Sequence, residues 1–480
     1  MAGSGARPRT RRRGPDGALD HARLPAERGM SAGVRVDSDA PARRRLPLVA
    51  LLAAQLCSLG GNAIALVAVP LIVLQQTGSP LAAGVAGIFA TVPLVIGGAL
   101  GGVLVDRFGY RASSIAADVA SGATVLAIPI LDAVGLLHFG VLLALVFLGG
   151  LLDAPGDTAK TVLMPDLAEL ARTPLARAAG AQSAVQRTAT MVGAGTAGVL
   201  IAIAGPMTAL VVDAAGFAVS ALLVLLLVPK RRAAALDGAD PADPAALASA
   251  GSAGFVAGIR FIMRTPLALG VVLLVTLTNA IDAAGLMVLK PVYATEVLGD
   301  QAALGFMIGT FAAGALIGSS AFGLVGHRAS GRIMFATCFV LAGAPPYVAI
   351  ALDAPAGLLF TVLGVSGLAA GALNPMISTA LYGVVPDGMR ARVFGAMTSG
   401  VAASMPVGAF IAGVAVDAFG LAPVAAGAAV LYAVLGASPL VLRAFDGLAG
   451  ARALGPAVSG PAGRSRCRAS RSGGPRGARR

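Results

Sequence analysis

The chain has 480 residues, of which 57% are hydrophobic and only 12% are charged. Soluble domains carry roughly 25% charged residues, and a soluble fold could not cover so much apolar surface with so few charges. The composition therefore excludes a soluble enzyme and a disordered scaffold. Apolar runs recur at lengths of about 20 residues, which span a bilayer core, and they predict an all-α membrane protein.

The net charge of +13 is concentrated at the two ends of the chain. Residues 1–45 contain 11 Arg and 5 acidic residues, and residues 443–480 contain 9 Arg and 1 acidic residue, whereas the rest is close to neutral. Tails rich in Arg, Gly, Pro and Ser cannot bury enough apolar surface to fold. We predict disordered basic tails over 1–45 and 444–480 that lie beside anionic lipid, and no nucleic-acid partner.

Charges, Gly-Pro pairs and short polar clusters divide the apolar sequence into twelve predicted transmembrane helices. Residues 229–266 separate the first six from the last six, and their amphipathic end predicts a cytoplasmic linker that finishes in a surface helix. The two predicted halves are 46–228 and 267–443. The predicted spans are 46–75, 80–105, 112–131, 136–159, 178–204, 206–228, 267–297, 302–325, 332–352, 355–381, 393–418 and 421–443.

Basic residues occur only in alternate loops, and they predict the orientation in the membrane. The remaining loops carry acidic residues and His138 but no Lys or Arg. Cytoplasmic loops are enriched in Lys and Arg, so both termini are predicted to be cytoplasmic in a multi-pass protein of the cell membrane. The basic loop residues are Arg107, Arg111, Arg172, Arg177, Lys230, Arg231, Arg232, Arg260, Arg264, Arg328, Arg332, Arg390 and Arg392.

The two halves contain an internal repeat. A shift of 221 residues places Gly78 on Gly299, and a shift of 215 places Gly205 on Gly420. Composition bias alone does not easily align Pro, Gly and Arg in order at a nearly constant shift, so we predict two pseudo-symmetric six-helix bundles. Further pairs at these shifts are Pro70 and Pro291, Gly97 and Gly318, Arg107 and Arg328, Arg111 and Arg332, Pro165 and Pro386, and Gly193 and Gly408.

The loop between spans two and three carries the pattern G-x-x-x-D-R-x-G-x-R at Gly102, Asp106, Arg107, Gly109 and Arg111. This pattern resembles the loop motif of the major facilitator superfamily. The resemblance implies a secondary transporter whose two halves rock around a central site. It also implies that this motif acts as a gate, with Asp106 against the start of span eleven near Arg392. Arg107 and Arg111 would bridge the halves.

Three further segments resemble the bacterial branch of this superfamily that exports drugs, macrolides and siderophores. They are residues 213–220, 291–299 and 386–393. The resemblance implies export of a small amphipathic organic compound.

Span five contains a glycine motif at Gly193, Gly195 and Gly198. It is similar to the motif of proton-coupled drug antiporters, although Ala194 stands where that motif has proline. Small residues also allow close helix packing, so packing alone would explain these glycines equally well.

Ionisable groups within the spans are the strongest candidates for a functional site, because each costs about 2.5 kcal/mol or more at the bilayer centre on insertion scales. Asp282, in the middle of span seven, is the first candidate to carry a proton, and Asp213 in span six is the second. The remaining candidates for a proton or substrate site are Asn279, Arg187, Asp153 and Asp157.

Two alternatives apply to these charged residues. Asp153, Asp157 and Arg187 could form a paired charge network with Lys160 near the cytoplasmic mouth. Lys290 could pair with Asp282 or another acid, or its side chain could extend to the outer surface.

No catalytic triad, metal-ligand cluster or phosphate-binding Gly-Lys-Ser/Thr motif is recognisable, so the sequence predicts no enzyme, no cofactor and no metal. The favoured prediction is a monomeric proton antiporter whose partners are protons, a small-molecule substrate and membrane lipid. One alternative is an importer or facilitator of a small nutrient. The other is a non-transporting membrane receptor or lipid scramblase.

Overall fold

The computed structural model describes residues 45–230, 256–325, 331–386, 389–446 and 448. These residues form long helices joined by short turns, and no strand occurs among them. Within this part of the chain, ten helices are long and apolar enough to cross a membrane, and Pro80–Pro93 is a shorter apolar helical stretch.

The longest helical segment, Leu175–Leu227, contains two helices. Gly205 interrupts it with φ 81° and ψ 169°, a backbone conformation that favours glycine, and Pro206 begins the next helix. With this division the described residues contain the twelve predicted spans. The helices are α1 (Leu46–Thr77), α2 (Pro80–Phe108), α3 (Tyr110–Ala133), α4 (Phe139–Leu170), α5 (175–204), α6 (206–227), α7 (Pro266–Val297), α8 (Ala302–Val325), α9 (Arg332–Ala351), α10 (Ala356–Tyr382), α11 (Arg390–Phe419) and α12 (Leu421–Val441).

Two helices differ from the sequence-based prediction. Helix α4 continues to Leu170, beyond the predicted end at residue 159, because charged residues end an apolar run without ending a helix. Helix α7 contains π-helical turns over Gly285–Leu289 and Tyr293–Val297, on either side of Pro291. Proline has no N–H to donate, and a local change of hydrogen-bond register accommodates that loss.

Several predicted segments fall outside the described residues. These are the two basic tails, apart from a few residues at their inner ends, and residues 231–255 of the linker. The end of the linker, residues 256–264, is helical. Its Ile262 is buried against the C-terminal half, whereas Ile259 and Met263 are exposed.

The two halves have the same internal packing. In the N-terminal half α1 packs on α5, α2 on α4, and α3 on both α4 and α6; in the C-terminal half α7 packs on α11, α8 on α10, and α9 on both α10 and α12. The backbone repeats as well. Gly78 and Gly299 share a φ of 62°, and Gly205 and Gly420 share φ 81° and ψ 169°. The predicted repeat is therefore present in the fold.

Two arginines of the repeat tie the third helix of each half to the sixth. Arg111 donates hydrogen bonds to the backbone oxygens of Leu225 and Val228 at 2.5 and 2.7 Å. Arg332 donates in the same way to backbone oxygens near the end of α12. Carbonyl groups at a helix C-terminus lack intrahelical partners and attract cations. Among the described residues, the hydrogen bonds of Arg111 are thus made within its own half, whereas its predicted role in bridging the halves stays a prediction.

The halves meet along two pairs of helices, α2 with α11 and α5 with α8. We call the end of the bundle where α1 begins the terminal face and the opposite end the distal face. On α8, a Cβ added to Gly305 would collide with the backbone of Gly198 on α5. On α2, a Cβ added to Gly84 would lie 2.7 Å from the backbone oxygen of Ala409 on α11.

These close contacts all lie in the distal part of the helices. There a hydrogen bond of 2.7 Å also joins Gln75 at the end of α1 to Gln301 at the start of α8. In this structure the halves are thus closed against each other at the distal face.

We expect Gly305→Ala to destabilise this closure, because the added methyl group would press on backbone atoms of Gly198 that cannot move aside. Overpacking of this kind costs about 1–3 kcal/mol. Gly195→Ala on α5 is the matched control, since no atom lies within 4 Å of its added Cβ. Apparent melting temperatures read with a thiol-reactive dye, which reports the buried Cys338, would compare the two variants. Equal melting temperatures would contradict the assignment of a tight contact.

Candidate functional site

The N-terminal half encloses a cavity of about 350 Å³ bounded by α1, α2, α3, α4 and α6, with Met287 of α7 at its edge. Its walls are mostly apolar, and its main polar groups are Asn62, Asp153 and Asp157. We call this cavity the acidic pocket. Small-molecule sites occupy roughly 300–1,000 Å³, so the acidic pocket is just large enough for an organic molecule.

Asp153 is the more enclosed of the two carboxylates that line the acidic pocket, with 9% of its surface exposed. Asn62 donates a hydrogen bond of 2.7 Å to its Oδ2. Its Oδ1 has no hydrogen-bond partner among the described residues. Asp157 lies one helical turn further along α4 and lines the same cavity. The pocket thus presents two carboxylates on one face of α4, one of them with an unused acceptor.

A second charged cluster lies beside this pocket and is fully buried. Lys160 Nζ lies 2.7 Å from Asp118 Oδ1 and donates a hydrogen bond of 2.8 Å to Ser58. Ser220 donates a hydrogen bond of 2.7 Å to the other oxygen of Asp118. These four residues, the buried quartet, join α1, α3, α4 and α6. The carboxylate that Lys160 contacts is therefore Asp118, which lies outside the network that the sequence suggested.

Asp118 was not among the candidates predicted from the sequence, although the sequence contains a signal for it. Asp118 lies within span three, and the rule that selected ionisable residues inside spans applies to it as well. Its partners Ser58 and Ser220 carry no such signal, because serine is common in transmembrane helices.

Asp213 on α6 is completely buried, and neither of its carboxyl oxygens has a hydrogen-bond partner among the described residues. The carboxyl group lies against Gly61 of α1, where a Cβ would collide with it. It is close enough to Asp153 for the two groups to interact electrostatically. Asp213 therefore adjoins the acidic pocket without lining it.

Asp282 lines a smaller cavity, of about 240 Å³, to which both halves contribute. We call it the central cavity. Leu66 and Thr190 border it from the N-terminal half, and residues of α7, α8 and α9 border it from the C-terminal half. The Asp282 side chain is open to this cavity, although it lies deep within the bundle.

Lys290 and two tyrosines surround Asp282. Tyr432 donates a hydrogen bond of 3.3 Å to the carboxylate. Lys290 lines the same cavity two helical turns further along α7, with its Nζ 5.7 Å from the ring centre of Phe311. Tyr347 also lines the cavity, and its hydroxyl donates to the backbone oxygen of Ile281 at 2.8 Å. The central cavity therefore combines an acid, a base and a phenol.

The other predicted residues lie elsewhere. Asn279 donates a hydrogen bond of 2.8 Å to the backbone oxygen of Val275 on its own helix. Arg187 is half-buried on α5 and lines neither the acidic pocket nor the central cavity.

The glycine motif of α5 contacts two neighbouring helices, α1 and α8. Gly193 packs against Gly60 of α1, Gly198 packs against Ala302 of α8, and Gly195 faces open space.

The loop motif is described only in part. Gly109 has a φ of 82° at the turn between α2 and α3. The side chains at Gly102, Asp106 and Arg107 lie outside the described part of the structure, as do His327 and Arg328 of its second copy.

Comparison with known proteins identifies the family. A family model described as Major Facilitator Superfamily matches residues 51–283 and 272–457, one match for each half. The chain belongs to the Major Facilitator Superfamily. Its two six-helix halves and the cavity between them are thus those of a transporter of this superfamily, and not of an enzyme.

Curated relatives within the superfamily cover most of the chain. It is 30% identical over 381 residues to the multidrug efflux pump Tap of Mycolicibacterium fortuitum, across 79% of this chain and 91% of that protein. It is 31% identical over 385 residues to the pump of the same name from Mycobacterium tuberculosis, across 78% of this chain and 88% of that protein.

Solved structures show the same fold at lower identity. The nucleoside transporter NupG matches with a TM-score of 0.61 and 15% identity, over 82% of this chain and 98% of that one. A bacterial homologue of the iron transporter ferroportin, in an inward-facing state, matches with a TM-score of 0.61 and 14% identity, over 83% and 99%. At such identities the likeness extends to the fold alone.

We expect Lys160→Met to destabilise the protein strongly, because it leaves the Asp118 carboxylate buried without a counter-charge. Removing one member of a buried ion pair costs about 3–5 kcal/mol. The double variant Lys160→Met with Asp118→Leu should recover much of the loss, since replacing both members of a buried pair with apolar groups is often nearly neutral. Melting temperatures of the two single variants and the double variant would measure the coupling. If the decrease in melting temperature of the double variant equals the sum of the decreases of the two single variants, the two groups are not coupled.

Proposed function

We propose that the protein exports a small amphipathic, drug-like organic compound across the cell membrane and that proton entry drives this export. Two relatives with the name multidrug efflux pump support the export of drugs. The observation that carries the proposal is the Asp282 carboxylate, which faces a cavity between the two halves.

The position of Asp282 suits a proton carrier. Exchange between two sides of a membrane requires a group that meets water from one side and then from the other. Asp282 lies where residues of both halves border one cavity, so relative motion of the halves changes its surroundings. Lys290 and Tyr432 supply a positive charge and a hydrogen bond that stabilise the ionised form once the proton has left.

Cavity sizes favour different tasks for the two sites. The central cavity, at about 240 Å³, is smaller than the roughly 300 Å³ that small-molecule sites need, whereas the acidic pocket reaches about 350 Å³. We therefore assign the proton to the central cavity and regard Asp213, enclosed beside the acidic pocket, as a second proton site.

The alternation of basic loops supports a cytoplasmic terminal face. With that orientation, the distal face that is closed in this structure is the outer face, and an exporter closes its outer face when it loads substrate from the cytoplasm. Transport could also run inward, as in a nutrient importer, and the direction of movement in vesicles distinguishes the two.

Transport in inverted membrane vesicles tests this function. With an inward-acidic gradient, we expect uptake of lipophilic antibiotics or dyes that an uncoupler abolishes. Asp282→Asn should reduce gradient-driven uptake to the level of vesicles without the protein, because an amide cannot bind and release a proton at this site. Asp353→Asn is the matched control, since Asp353 is exposed in a loop with a φ of 49° that Asn tolerates. Full gradient dependence in Asp282→Asn would contradict the proton role.

We also propose that Asp106 contributes to a gate at the terminal face, as the complete loop motif suggests. Asp106→Asn should lower the transport rate without lowering the amount of inserted protein. Surface labelling and uptake would be measured on the same vesicles, with Asp132→Asn, at the exposed end of α3, as the control. Unchanged uptake at equal protein levels would exclude a gating role.

A further inference from the structure

The acidic pocket lies within the N-terminal half, and not in the cavity to which both halves contribute. Each of its carboxylates comes from α4, and the opposite walls come from α1, α2, α3 and α6 of the same half. Because these helices pack on one another, the pocket moves as a unit when the halves rock, apart from Met287 of α7 at its edge. A ligand held there would remain bound to one half during that movement.

The charge around this pocket is unbalanced. Asp153 interacts electrostatically with Asp157, Asp118 and Lys160. Lys160 already forms an ion pair with Asp118, and that pair is fully buried within the quartet. Among the described residues that line the acidic pocket none is a Lys or Arg, so an ionised carboxylate there would be stabilised by the charge of a cationic ligand.

The pocket is built to receive a ligand. The Oδ1 atom of Asp153 is a buried acceptor without a hydrogen-bond partner among the described residues, in a side chain that is nine-tenths buried. Asn62 holds the other oxygen of this carboxylate and so fixes its orientation. The surrounding wall is apolar, with Val69, Phe217 and Met287 among its members.

A metal ion fits this environment poorly. Hard cations such as Ca²⁺ take six to eight oxygen ligands, and Mg²⁺ takes six. Within the described residues, no group of three or more His, Cys, Asp or Glu side chains is placed to hold a metal ion. An apolar wall around two carboxylates matches a cation whose charge is embedded in an apolar body.

We propose that the acidic pocket binds a lipophilic organic cation, with the positive centre at Asp153 and Asp157 and the apolar body against the walls of α1 and α6. This inference rests on the proposed export function and names its substrate class. It also separates the substrate, held by α4 of one half, from the proton, bound at Asp282 of the other.

Equilibrium binding of radiolabelled tetraphenylphosphonium to the purified full-length protein in lipid nanodiscs tests this inference. We expect saturable binding by the wild type, weakened about tenfold or more in Asp153→Asn and in Asp157→Asn, because each loses one charge facing the ligand. Binding should remain unchanged in Asp353→Asn, which loses a negative charge at an exposed loop. Triphenylphosphine oxide, which is similar in shape but uncharged, should not compete at equal concentration.

Folding and function can be separated in this design. The amide introduced by Asp153→Asn keeps an oxygen that can accept from Asn62, and its melting temperature should match that of the wild type. Absence of wild-type binding, equal affinity in Asp153→Asn, or equal competition by the neutral compound would each overturn the inference. If binding depends on Asp153 but no gradient-driven uptake occurs in vesicles, the proposed antiport fails and the cation pocket stands. Gradient-driven uptake of neutral compounds alone, without tetraphenylphosphonium binding, would overturn the cation pocket and leave the proposed antiport in place.

Discussion

An ionised side chain inside a membrane bundle is stabilised only by an opposite charge, by hydrogen bonds or by water in a cavity. The described residues of this protein show each solution. Lys160 and Asp118 form a buried ion pair, Asp282 faces a cavity and accepts from Tyr432, and Asp153 has one oxygen bound to Asn62. Asp213 has none of these partners and is fully enclosed. The ion pair of Lys160 determines the charge of the neighbouring acidic pocket. Because Lys160 is already paired with Asp118, the acidic pocket keeps an excess of carboxylates.

The same helices that hold these charges have little freedom to rearrange inside each half. The buried quartet links α1, α3, α4 and α6, and Arg111 fixes the start of α3 to the end of α6. Arg332 makes the equivalent contact in the C-terminal half. Contacts between the halves are of another kind, since small residues such as Gly305 and Gly198 allow backbone to touch backbone. Such contacts separate without breaking an ion pair, so the halves can move as rigid bodies while each keeps its internal hydrogen bonds.

Hydropathy, loop charges and glycine spacing suffice to predict the twelve helices and the repeat, and the loop motif suffices to predict the family, because each of these features can be read from the sequence. The partners of individual side chains cannot be read from the sequence in this way. Lys160 and Asp118 are 42 positions apart and lie on different helices, so only packing shows which acid the lysine meets. The acceptors of Arg111 are backbone carbonyl groups at the end of α6, which no residue type marks. The π-helical turns of α7 were also unforeseen, since Pro291 alone predicts a kink and not a change of register.

Helix α7 connects the two cavities. Its neighbouring residues Leu286 and Met287 belong to one π-helical turn, and the first lines the central cavity whereas the second lines the acidic pocket. Leu66 of α1 borders both cavities from the opposite side. A movement of α7 that follows a change at Asp282, one turn before Leu286, therefore alters a wall of the acidic pocket at the same time. Coupling between a proton at Asp282 and a ligand at Asp153 then needs no long pathway, because one helix turn forms part of both sites.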